Sequence, residues 1–275
     1  MLKVNTNIVG IGQYGLNCVN ALADSGLLGF RTAVLYPESS EYFSKAQFNL
    51  KSKNEFLENS PKFFVAANTA VFVLVDVSGS YHTSLACEIG AIAAYKGGLA
   101  VAVAAVPSSS DPMYDTALEN IEELHDVFAG VVRINAGYTD SFEKENIQLF
   151  ETLSRAMNSE AKISLGGYSE MKEIFTREKD IYFAWVKSKE IMDSHLYNAK
   201  CLELKLCHQT YVDTANNLSF FYAGKSKAND KLISIYKNPI EKLNIAFLGS
   251  TKTYISDNNP ELDDGEFVFS VICSE

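Results

Sequence analysis

The sequence predicts an α/β protein: a parallel sheet in the N-terminal part, a long connecting helix, and a smaller α+β C-terminal part. Three observations carry this. Two continuous apolar runs, VFVLVDV (71–77) and LAVAVAAV (99–106), read as strands buried on both faces, as in a parallel sheet. Strand-like and helix-like segments alternate from Met1 to Asn135, which implies crossovers that cover both faces of one sheet. Beyond the connecting helix the alternation gives way to grouped helices and strands, which suggests a second, smaller unit. The expected divisions are 1–140, 141–160 and 161–275 of the 275 residues.

Taken in order, Lys3 to Leu22 is a strand, a glycine-rich turn and a helix. Phe30 to Tyr36 is a second strand, ended by Pro37. Glu38 to Pro61 is polar and weakly periodic and reads as short helices and loop, and Phe63 to Asn68 as one more helical turn. Val71 to Val77 is a buried strand, followed by a loop of small residues from Ser78 to Ser84. Leu85 to Tyr95 has helical spacing and ends at Gly97-Gly98. Leu99 to Val106 is a strand, Asp111-Pro112 open a helix reaching about Phe128, and Gly130 to Ile134 is a fifth strand. Ser141 to Asn158 is the longest helical pattern, with Ile147, Phe150, Leu153 and Met157 on one face. A helix at Ser169 to Glu178, a strand at Asp180 to Val186 and a polar helical stretch at Lys187 to Lys200 follow. Leu218 to Ala223 reads as a strand, Lys227 to Lys237 as a helix, and Leu243 to Leu248 and Glu266 to Cys273 as a closing hairpin.

The turn after the first strand carries Gly10, Gly12 and Gly15 in a G-x-G-x-x-G pattern. Glycine there permits positive φ and lets backbone N–H groups approach an anion, while the helix that follows aims its positive end at the same place. This is the pattern of a nucleotide phosphate cradle, and equally of a tight strand-to-helix turn that holds nothing. It also meets the Rossmann-like dinucleotide rule, with Glu38 placed to hold a ribose hydroxyl, so an NAD(P)-dependent enzyme is one reading. In parallel sheets ligands bind beyond the carboxyl ends of the strands, where both small-residue loops fall.

Composition excludes several classes. With 47% apolar and 21% charged residues the chain is an ordinary globular protein. Its net charge of −10 argues against nucleic acid, whose binding needs clustered Lys and Arg. No apolar run approaches the roughly 20 residues that cross a bilayer, no signal peptide is visible, and a cytoplasmic location is expected. The five cysteines, Cys18, Cys87, Cys201, Cys207 and Cys273, are spread through apolar segments and read as free buried thiols. Cys201, Cys207 and His208 lack the spacing of a metal site.

The order of these features resembles the tubulin/FtsZ family of cytoskeletal GTPases, in its bacterial form. GIGQYGLNCVN (10–20) matches that family's first phosphate loop at Gly10, Gly12, Gly15, Asn17, Val19 and Asn20, with Gln13, Tyr14 and Leu16 in place of glycines. Leu74 to Pro107 aligns without a gap on the family's strand, signature loop, helix and strand. LENIEEL, VVRIN, LSFFYAGKSKANDKLISIY, IAFLGST and GEFVFSVICS extend the likeness over nearly the whole chain. The resemblance implies a GTPase-type N-terminal domain that binds GTP or GDP with Mg2+ through Gly10, Gly12, Gln13, Gly15, Asn17, Ser78, Gly79, Ser80 and Thr83. Asn146 is implied as the side chain that holds the guanine, and Glu170 as the acid that orients the attacking water in a neighbouring subunit.

Departures from the family pattern qualify this. The signature loop G-G-G-T-G-[ST]-G is replaced by Ser78, Gly79, Ser80, Tyr81, His82, Thr83 and Ser84, which keeps one glycine and one threonine. A left-handed non-glycine costs roughly 1–2 kcal/mol, so a reshaped loop is expected. His82 is either a cationic phosphate contact or plain surface. Tyr36, Pro37 and Glu38 stand where a γ-phosphate sensor is expected, and a carboxylate there would repel phosphate. Glu170 alone remains of two hydrolytic acids, and it is equally a favourable charge at a helix N-terminus. The implied protein therefore self-associates head to tail, or joins another FtsZ-like protein, with nucleotide binding weak or absent and hydrolysis weak or lost. A third reading is an interaction domain whose pocket is filled by Tyr14, Tyr81 and His82. The chain ends at the closing strand, so no direct membrane anchor is expected.

Overall fold

The computed structural model describes residues 4–27, 29–36, 43–63, 68–137, 141–157, 167–176, 180–187, 217–224, 234, 251–256, 262 and 266–274. Its strands are β1 (Asn5–Ile11), β2 (Phe30–Leu35), β3 (Phe48–Leu50), β4 (Thr69–Asp76), β5 (Leu99–Val106), β6 (Gly130–Asn135), β7 (Asp180–Lys187), β8 (Asn217–Gly224), β9 (Thr251–Ser256) and β10 (Phe267–Ser274). Its helices are α1 (Gly12–Asp24), α2 (Lys53–Phe63), α3 (Ser80–Tyr95), α4 (Tyr114–Val127), α5 (Phe142–Ala156) and α6 (Tyr168–Thr176).

The strands form one sheet in the order β3-β2-β1-β4-β5-β6-β7-β10-β8-β9. β1 to β6 are parallel throughout, as the alternation of strand and helix requires. β10 runs antiparallel to both β7 and β8. Among the described residues, two strand pairs, Val131–Asp180 and Val132–Ile181, join the parallel and mixed halves. Alternation along each strand sends Ile8, Val34, Phe72 and Leu74 to one face, against α1, α5 and α6. It sends Val9, Val71, Val73 and Val75 to the other, against α2, α3 and α4. The result is three layers with the sheet in the middle.

α5 touches both halves. Its Leu149, Phe150 and Leu153 are fully buried, and Phe150 stands edge-on to Phe30 and Phe72 on the parallel strands. Thr152 meets Ser270 of β10 at 3.0 Å between hydroxyl oxygens. Because it is covered on two sides, α5 also buries Glu145, Asn146, Gln148 and Thr152, whereas Ile147 and Met157 of the expected face are only partly buried.

Four expectations are corrected. β3 lies within the stretch expected as helices and loop; at three residues it is too short to show a period, and its pairing with β2 fixes it. α3 begins at Ser80, so the expected loop shrinks to Val77-Ser78-Gly79. α4 begins at Tyr114, after a turn in which the Met113 N–H donates to the Asp111 carboxylate at 2.8 Å. β10 forms no hairpin with the strand before it, because β7 and β8 occupy its two edges. β9 was not anticipated. The expected strand at 243–248, residues 188–200 of the expected polar helix and all but Ser234 of that at 227–237 lie outside the described residues.

Candidate functional site

Because β1 and β4 are adjacent and parallel, the loops that follow them emerge side by side at the carboxyl edge of the sheet. At the first, Gly12 takes a positive φ of 62° and starts α1. At the second, Gly79 is extended, at φ −124° and ψ 124°, and starts α3. Neither helix has a side chain capping its N-terminus, so the N–H groups of both first turns face this edge. The loops also touch: a Cβ on Gly12 would lie 2.6 Å from Nε2 of His82.

The three glycines of the first loop divide in role. Gly10 and Gly15 hold strand to helix, since a Cβ on Gly10 would sit 2.5 Å from the carbonyl carbon of Gly15. Only Gly12 uses the left-handed region, and there His82 covers it. In the second loop Gly79 faces open space and is extended, so this loop does not use a left-handed glycine. The Ser78 N–H, one of the predicted phosphate donors, instead donates to the Asp76 carboxylate at 2.9 Å. Ser80 is exposed, and Thr83 is fully buried with its hydroxyl turned back to the Gly79 carbonyl at 3.3 Å. Asn120 of α4, 2% exposed, anchors this loop by donating to the Val77 carbonyl at 2.7 Å.

On α1, Gln13 and Asn17 are exposed and joined to each other. Gln13 Nε2 donates to Asn17 Oδ1 at 2.7 Å, and the Tyr36 hydroxyl donates to Gln13 Oε1 at 3.0 Å. Asn20 ties residues 43–45 to the same helix, donating to the Phe43 carbonyl and accepting from the Lys45 N–H. Tyr14 points inward. Its ring stands edge-on to Phe142 at 5.8 Å between centroids, and its hydroxyl accepts from Asn146 Nδ2 at 2.8 Å. Burial pushes the Tyr14 hydroxyl well above its ordinary pKa, with the Cys18 thiol and Asp76 adding in the same direction. Burial also pushes Cys18 up to about 12 and Cys87, which is only partly buried rather than buried as expected, up to about 11, so both stay protonated at neutral pH.

The structure thus brings together Gly10, Gly12, Gln13, Gly15, Asn17, Ser78, Gly79, Ser80, Thr83 and, through Tyr14, Asn146. Glu170 is elsewhere. It lies in the first turn of α6, whose Tyr168 hydroxyl approaches the Gly97 carbonyl at 3.5 Å, at the amino edge of β5 and so across the sheet from the loops. Its carboxylate is 3.9 Å from Lys252 Nζ, which also donates to Glu173 at 2.6 Å. Glu38 and Pro37 lie outside the described residues, as do Cys201, Cys207 and His208. Sequence reasoning missed Asp76 and Phe142. The position of Phe142, one helical turn before Asn146, was the signal that could have found it.

The chain has the fold of the tubulin and FtsZ proteins. An FtsZ W319Y mutant from M. jannaschii matches with a TM-score of 0.77 at 13% identity, over 99% of this chain and 91% of that one. CetZ from Methanosaeta thermophila matches with a TM-score of 0.70 at 19% identity, over 100% and 86%. CetZ2 from Haloferax volcanii, in a GTPγS-bound protofilament, matches with a TM-score of 0.74 at 11% identity, over 99% and 93%. No protein-family model and no curated protein matches the sequence. No helix among the described residues is long and apolar enough to cross a membrane.

Proposed function

We propose that the chain is an FtsZ-like protein that self-associates head to tail, binds guanine nucleotide weakly if at all, and hydrolyses GTP slowly or not at all. The observation that carries this is how the space beside the two loops is filled: Tyr14 spans from α1 to Phe142 and Asn146 of α5, and His82 of α3 covers Gly12. As arranged, these residues do not fit a nucleotide. The amide implied as the guanine partner holds Tyr14, and a predicted phosphate donor, the Ser78 N–H, is spent on Asp76. An anionic phosphate beside the Asp76 carboxylate is disfavoured as well. We therefore derive no hydrolytic step, and Mg2+ would enter only with a nucleotide.

Self-association is supported by the placement of the loops at one edge of the sheet and Glu170 at the other, so that only a second copy stacked on the first could bring them together. The CetZ2 neighbour is itself a protofilament. The division into a nucleotide-binding-like domain (1–140), a connecting helix (141–160) and a C-terminal domain (161–275) accords with the narrow β6–β7 seam. The whole-chain likeness favours this reading over a dinucleotide enzyme, whose rule accounts for the first half alone. Sedimentation velocity over a range of protein concentrations, with and without GTP, together with phosphate release, tests it. The expected result is concentration-dependent association that GTP barely alters, with little phosphate released. A strictly monomeric chain, or turnover that climbs steeply with protein concentration, contradicts it.

A further inference from the structure

Asn146 carries a buried atom without a partner. Its side chain is 0% exposed, and Nδ2 reaches the Phe142 carbonyl at 2.8 Å, the Tyr14 hydroxyl at 2.8 Å and Cys18 Sγ at 3.5 Å. Oδ1 is buried and has no hydrogen-bond partner. The opposite amide orientation is no remedy, because it would set two carbonyl-type oxygens about 2.8 Å apart at Phe142. A buried acceptor left unpaired is costly. Tyr14 satisfies the donor half of this amide and leaves the acceptor half bare. Its ring meets the Phe142 ring at 87°, an arrangement that any flat ring of similar size could reproduce. Tyr14 is also only partly buried and rises from the first turn of α1, so its departure would open the slot to solvent.

We propose that the Tyr14 side chain is an internal occupant of a ring-binding slot formed by Phe142 and Asn146, an autoinhibitory contact that a ligand must displace. The ligand chemistry that fits better than a phenol is a planar heterocycle with an N–H donor and an acceptor side by side, as on a nucleobase edge. Such an edge pairs with Nδ2 and Oδ1 together. This rests on the reading of the site as an obstructed nucleotide hollow. It adds that the part of the obstruction at Phe142 and Asn146 is one side chain, Tyr14, and is reversible; His82 lies apart from it, over Gly12.

Calorimetric titrations with guanosine and with GTP test it on the wild-type protein, Tyr14→Ala, Tyr14→Phe and the double variant Tyr14→Ala/Asn146→Leu. Removing an occupant that is present at least nine-tenths of the time tightens guanosine binding about tenfold or more. Tyr14→Ala is expected to show that gain, Tyr14→Phe to behave as wild type because the ring remains, and the double variant to lose the gain. Equal guanosine affinity in wild type and Tyr14→Ala, or a gain that survives Asn146→Leu, overturns the proposal. If Tyr14→Ala does not fold alone, it is refolded with guanosine or with 4-methylphenol, which restores the lost side chain, and followed by circular dichroism. Recovery of the fold supports the slot, and failure of both compounds to restore it overturns it. Tight GTP binding by the wild type would reject the obstructed-site reading under Proposed function. Weak binding by wild type and Tyr14→Ala alike rejects only the displaceable occupant.

Discussion

Gly10→Ala should be among the most damaging conservative substitutions in the protein, for a reason unconnected with any ligand. The new Cβ would lie 2.5 Å from the Gly15 carbonyl carbon and 2.8 Å from its Cα. Carbon atoms rest at about 3.5–4.0 Å, so the shortfall is roughly 1 Å. β1 cannot supply it, being hydrogen-bonded to β2 on one side and β4 on the other. α1 must therefore lift from the sheet, loosening Leu16, Cys18, Val19 and Leu22, all buried. Overpacking costs about 1–3 kcal/mol, and a clash between two backbones, with no rotamer to change, belongs at the upper end. Urea denaturation followed by circular dichroism would read this as a midpoint lowered by about 1 M or more. A loss under about 0.5 kcal/mol would refute the close contact of strand and helix. The control is Gly79→Ser. Gly79 is extended, faces open space and precedes α3, so a serine there is expected to be neutral or to stabilise by a few tenths of a kcal/mol as a cap. A marked loss would mean that the second loop needs its glycine after all.

Two further outcomes follow from polar and titrating groups. Asp180 accepts from both Arg133 Nε and Nη2 at 2.6 Å and pairs with His125 at 2.9 Å, where the two halves of the sheet meet. Asp180→Ala leaves the largely buried Arg133 without its carboxylate and His125 with only Glu122, 3.5 Å from its other ring nitrogen, and a loss of about 2–3 kcal/mol is expected in the same denaturation assay; no change would show that the seam does not depend on this cluster. Burial raises the Cys18 thiol from 9.0 to about 12 and the Tyr14 hydroxyl in the same direction. Below the unfolded pKa the full contribution is present. As pH rises through the interval the unfolded chain releases its protons first, and stability falls by up to about 1.4 kcal/mol per unit for each group. Denaturation midpoints should therefore drop between about pH 9 and about pH 11, and a flat profile there would contradict the burial of both groups.

Much of the fold was legible because its signals are local. The apolar runs of β4 and β5 could be little else than strands buried on both faces, and the serine that caps α5, accepting from the Lys144 N–H, stood where a helix start was expected. What the letters hid is set by partners distant in sequence. β3 exists through its pairing with β2, and the insertion of β10 between β7 and β8 depends on edges that no local pattern encodes. The candidate site shows the same limit. Gly10, Gly12 and Gly15 were legible as a turn, yet Gly10 and Gly15 serve each other, which only their proximity reveals. Tyr14 was visible as a bulky residue where the family resemblance expects glycine, but its direction, inward to Asn146, follows from the packing of α1 beside α5.

The most direct test of an occupied hollow is the affinity of the unaltered protein for GTP by isothermal titration calorimetry in the presence of Mg2+. A dissociation constant weaker than about 100 μM is predicted, because any nucleotide must first displace Tyr14 and His82. A saturable isotherm with a dissociation constant below about 1 μM would contradict it.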